Sequence, residues 1–66
     1  MWQMTMDMMD AAAYYYQKTG KTELRFETGN PALRLDVAIG RVYGKVSLKV
    51  REAIARETIA KVKSLL

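Results

Sequence analysis

The chain has no cysteine in its 66 residues, and smallness without any possible disulfide constrains the fold more than any motif does. A chain this short buries only about 60% of the surface its unfolded form exposes, so a single core is marginal. Disulfide staples and thiolate metal sites are excluded. Histidine is absent too, which removes the commonest general base and the commonest metal ligand. One domain over residues 1–66 is expected, without cofactor or metal, and helped by a second copy of itself. Half the residues are apolar and 27% are charged, a globular composition. No run approaches the ~20 apolar residues that span a bilayer. No basic segment precedes the Met-rich start as a secretory signal requires. With cysteine absent, an intracellular, cytoplasmic location is expected.

Residues 2–18 read as a helix, with Gln3, Asp7, Asp10, Tyr14 and Gln17 on one stripe. Trp2, Met6, Met9, Ala13 and Tyr16 take the opposite face, and Met4, Met8, Ala11, Ala12 and Tyr15 the flanks. The apolar surface covers more than half the helix, wider than the stripe of an ordinary surface helix. Gly20 suits a left-handed C-cap. Residues 21–28 alternate, with Thr22, Leu24, Phe26 and Thr28 on one side and Lys21, Glu23, Arg25 and Glu27 on the other, as a half-wet strand does. Gly29-Asn30-Pro31 is turn chemistry. Residues 33–39 alternate again, Leu33, Leu35, Val37 and Ile39 against Arg34, Asp36 and Ala38. The glycines at 40 and 44 mark a turn or bulge, Val46, Leu48 and Val50 alternate with Lys45, Ser47 and Lys49, and a third strand is expected over roughly 41–47. A last helix starts near Leu48; Ser47 is its alternative N-cap, were 46–50 to open the helix instead. Val50, Ile54, Ala55, Ile59, Val62, Leu65 and Leu66 form its apolar arc. The fold class expected is α+β in the order α-β-β-β-α, a three-stranded antiparallel sheet with two helices on one face.

That order, with YYYQKTGK (14–21), GNPA (29–32) and LRLDVAIGRVYG (33–44), resembles the double-stranded RNA-binding domain. The resemblance covers most of residues 14–66 and implies shape-based binding of duplex RNA. It departs at the family's contact positions. Tyr14 or Ala13 stands where a polar first-helix residue enters a minor groove. Ala32 stands where a histidine reaches a second groove. Val50-Arg51-Glu52-Ala53-Ile54 replaces the lysine cluster that grips phosphates.

Chemistry other than binding finds little support. Asp7 and Asp10 share a helix face, but a hard cation needs more oxygen ligands, and a solvated stripe explains them. Gly40 to Ser47 has three residues between its glycines where a phosphate-binding loop has four, and Val46 separates its Lys from its Ser. The protein is therefore read as no enzyme, with no small-molecule substrate and no membrane role. The net charge of +4 is concentrated late: residues 41–66 hold seven Lys/Arg and two Glu. Arg41, Lys45, Lys49 and Arg51 occur with no acid among them, and Arg56 and Lys63 extend the line. Such a surface neutralises phosphates without regard to sequence. The expected function is a small nucleic-acid-binding module, duplex RNA favoured, using these six residues. The alternative is a dimeric protein-interaction module, a regulator or inhibitor, docking through Trp2, Met4, Met8, Tyr14 and Tyr15, since aromatic and Met side chains are frequent at interfaces.

Overall fold

The structure is a computed structural model that describes residues 3–26 and 31–66. It is three helices, α1 (Met6–Thr19), α2 (Leu33–Tyr43) and α3 (Leu48–Leu65), each packed against the other two. The described residues contain no strand, so the α+β, α-β-β-β-α expectation is corrected to an all-α fold.

Helix α3 starts at Leu48 as expected, whereas α1, expected over residues 2–18, starts only at Met6. Thr5 is extended (φ −89°, ψ 167°), and its Oγ1 accepts from the Met8 N–H at 3.2 Å, satisfying one of the orphan donors at the start of α1. Gly20 ends α1 at φ 68°, ψ 12°, donating its N–H to the Tyr16 carbonyl at 2.7 Å. That left-handed conformation costs a side-chain-bearing residue ~1–2 kcal/mol. Ser47 is extended and caps α3, its Oγ accepting from the Val50 N–H at 3.3 Å. The sheet in the expected fold had one inward face, which left most of α1's apolar arc unexplained. With α2 and α3 both against it, α1 buries Met8, Ala11, Ala12 and Tyr15, and Met4, Met9, Ala13 and Tyr16 pack half-buried at the edges.

The expected second strand, residues 33–39, is helix α2. Alternation would bury Leu33, Leu35, Val37 and Ile39. The helix instead buries Leu35, Ala38 and Ile39, preceded by Ala32, and leaves Leu33 and Val37 about half exposed. Two alanines supply the part of the helical stripe that a period-two reading assigns to solvent. Pro31 falls just ahead of α2, where a missing N–H and a fixed φ do no harm. The expected third strand over 41–47 is the last turn of α2 followed by a four-residue connection. Gly44 turns the chain there at φ 66°, ψ −133°, with its N–H on the Gly40 carbonyl at 2.9 Å. Gly40 itself lies inside α2.

Residues 21–26, expected as the first strand, run irregularly across α1 and α3; residues 27–28 and the turn 29–30 lie outside the described residues. Contacts to α1 and α3 hold the segment. Tyr15 Oη donates to the Glu23 carbonyl at 2.6 Å, Leu24 is buried, and the Phe26 N–H donates to Glu52 Oε2 at 3.1 Å. Once 33–43 is helical, the segment has no neighbouring strand to pair with, and its backbone groups turn to side chains instead.

α1 and α2 run antiparallel. Tyr43 Oη donates to the Gln3 carbonyl, Arg41 lies 3.9 Å from Asp7, and the Arg34 guanidinium sits 4.6 Å from the Tyr14 ring centre. The core between the three helices is built on Met8, Leu35, Ile39, Ile54 and Ile59, all fully buried. Thr58 joins them, its hydroxyl donating to the Ile54 carbonyl one turn back at 2.8 Å. Among the described residues, no helix is long and apolar enough to cross a membrane.

Candidate nucleic-acid interface

α3 turns Ile54, Ala55, Thr58, Ile59 and Val62 inward. The 3.6-residue repeat then places Lys49, Arg56 and Lys63 outward, seven residues apart, and all three are exposed. Ala53 and Ala60 lie between them on the same face, so the ridge is narrow and carries charge in place of bulk. Lys45 is exposed in the connection just ahead of the helix. Four of the six expected nucleic-acid contacts are thus on the outside of one element and its leading turn.

The other two are elsewhere. Arg51 sits two positions on from Lys49, about 200° around the helix, and points back toward α2. Its Nη1 lies 3.3 Å from Asp36 Oδ1, and both side chains are mostly covered, 29% and 22% exposed. Removing Arg51 would leave a half-buried carboxylate without its counter-ion, so the residue holds α3 to α2. Arg41 is exposed on the opposite side of α2, in the groove against α1 beside Asp7.

Two cations that the strand reading had assigned to a sheet surface join the basic face. Lys21 and Arg25, with Lys49 and Arg56, border a shallow depression floored by Tyr15 and Leu24. The docking of residues 21–26 onto Tyr15 and Glu52 sets their position. Glu23 and Glu52 are also on this border. Glu52 is turned to the Phe26 N–H, and its negative charge remains among the four cations. Charge at the depression is therefore positive by two, with Lys45 and Lys63 extending it along α3.

The residues expected to dock a protein partner divide differently. Met8 and Tyr15 are core, 0% and 7% exposed, and present no surface. Met4 packs half-buried against the same core. Tyr14 is half-buried under two cations, Arg34 at 4.6 Å and Lys18 at 5.7 Å. Trp2 lies outside the described residues. Packing against α2 and α3 covers part of the apolar arc of α1 and leaves Met6 69% exposed.

Asp7 and Asp10 are exposed, and among the described residues no three acidic side chains gather into a metal site. The Gly40–Ser47 stretch is divided between helix and turn, so it forms no phosphate-binding loop. No family model, curated protein or solved structure matches the chain.

Proposed function

We propose that the protein is a small nucleic-acid-binding module that docks on duplex DNA through α3 and the connection before it. The observation that carries this reading is the α2–turn–α3 unit. A four-residue turn containing glycine leads into a helix whose outward ridge is Lys49, Arg56 and Lys63, with Lys45 just ahead. Two helices joined by such a turn are the general plan by which a second helix is presented to a groove. Neutralisation of phosphates by exposed Lys and Arg supplies the affinity, and it is independent of sequence.

The all-α fold changes which duplex is favoured. A helix enters the major groove of B-form DNA, about 12 Å wide, whereas the deep, narrow major groove of A-form RNA shuts side chains out. The RNA expectation rested on a sheet-backed scaffold, and no strand occurs among the described residues. The contact set changes as well: Lys45, Lys49, Arg56 and Lys63 from the expected set, with Lys21 and Arg25 beside them, and neither Arg51 nor Arg41.

The test is a fluorescence-anisotropy titration of labelled duplex DNA, duplex RNA and single-stranded DNA at low salt. Duplex DNA should bind most tightly, and Lys49→Glu should weaken it at least tenfold while Arg41→Glu changes it less. Equal binding to all three probes, or no loss with Lys49→Glu, would reject the reading.

A further inference from the structure

The outward face of α3 divides into a middle and two ends with different chemistry. The helix has 18 residues, a length of about 27 Å at 1.5 Å per residue. A straight helix of that length lies deepest in a curved groove at its middle, and its ends ride outward toward the phosphate walls. Arg56 stands at the middle, with Lys49 and Lys63 about 10.5 Å away toward the two ends. Ala53 and Ala60 flank Arg56 on the outward face, so the backbone there can approach base edges closely and the guanidinium projects beyond its neighbours. Arg56 is exposed, and among the described residues no hydrogen bond or ion pair ties it down. The two acids of α3, Glu52 and Glu57, both stand beside it, at i−4 and i+1. Their charge disfavours a phosphate at the centre of the face and leaves the ends to the lysines.

We infer that Arg56 reads guanine from the major groove, through O6 and N7, while Lys49 and Lys63 hold phosphates on either side. The inference rests on the proposed docking of α3 on duplex DNA and adds a base preference to it. The major-groove edge of guanine offers two acceptors side by side, which match the planar fork of an arginine. Adenine sets a donor beside its one acceptor, and a guanidinium has no acceptor with which to meet it. The charge of Arg56 displaces counterions from the duplex whether it faces a phosphate or a base edge. Base reading therefore changes the ranking of sequences and leaves the salt dependence to the total charge.

The test is an anisotropy titration of the full chain, at one low salt concentration, with three duplex DNAs of equal length. One has guanines spaced through it, and one has A·T pairs alone. The third repeats the first with every guanine replaced by 7-deazaguanine, which lacks the N7 acceptor and keeps the pairing and charge. The unmodified protein should bind the first duplex at least about fivefold more tightly than either of the others. Arg56→Lys should keep the salt slope and bring that preference below about twofold, because an ammonium lacks the fork. The substitution is at an exposed site and lysine favours helix about as well as arginine, so the variant keeps the fold. Lys49→Ala should weaken all three duplexes by one common factor and leave their ratio unchanged. Equal affinity for the three duplexes, or a preference that survives Arg56→Lys, would overturn the inference and leave DNA docking by α3 standing. Failure to bind any of the three would overturn the docking itself and the inference with it.

Discussion

Tyr15 shows how much one residue can organise in a chain of this size. Its ring is buried in the core and its hydroxyl, 2.6 Å from the Glu23 carbonyl, fastens the segment that carries Lys21 and Arg25. Tyr15→Phe keeps the ring and removes the hydrogen bond. It should cost about 1 kcal/mol by chemical denaturation and speed amide exchange in residues 21–26. The basic residues divide at the same scale. Lys49 and Arg51 are neighbours in the same run of charge, yet one faces water and the other is held by Asp36. The candidate site was legible to the extent that cations at seven-residue spacing on a helix must share a face. Arg51 was misassigned because its partner lies 15 positions earlier, on an element read as a strand. Lys21 and Arg25 were passed over because an alternating pattern placed them on a separate sheet surface.

At the scale of elements, α1 and α3 were legible from their period and from Gly20 and Ser47, but the start of α1 was not: Thr5 caps it at Met6, four residues later than the apolar pattern implies. Ser47 and Gly20 mark ends that the structure has. Element α2 was not legible, because Leu33, Leu35, Val37 and Ile39 satisfy a period of two while Ala32, Leu35, Ala38 and Ile39 satisfy a period of 3.6. What decides is tertiary: α1 presents an apolar arc too wide for one neighbour, and a helix at 33–43 covers more of it, Met6 excepted. Residues 21–26 lost their strand identity with it. The cap at Ser47 bears on function, since it fixes where the connection ends and α3 begins, and hence where Lys45 and Lys49 lie. Ser47→Ala should destabilise the protein by about 1 kcal/mol, seen as a lower midpoint in thermal or urea unfolding. Ser47→Asp should restore most of that loss, as aspartate caps equally well and its charge favours the helix N-terminus.

For the whole molecule, three helices around one core of mostly Ala, Ile and Leu give a stability expected in the range of about 3–10 kcal/mol for this length. Truncating the fully buried Ile59 to Ala should remove about 2–4 kcal/mol of it, enough to unfold a good fraction of the chain at 37 °C. Such a scaffold leaves its polar faces free to carry charge, and the faces differ. The α1–α2 groove carries both signs, acids on α1 and arginines on α2, and the α3 ridge with Lys45 is almost wholly basic. Duplex DNA is the partner that suits the second. The most direct measurement is the salt dependence of duplex DNA binding by the unmodified protein and by a Lys45→Ala, Lys49→Ala, Arg56→Ala variant. Each phosphate neutralised contributes about −0.9 to the slope of log K against log salt. The unmodified protein should give a slope of about −4 to −5, and the variant one shallower by about 2.5. A slope near zero, or one that the three substitutions leave unchanged, would contradict a nucleic-acid-binding role for α3.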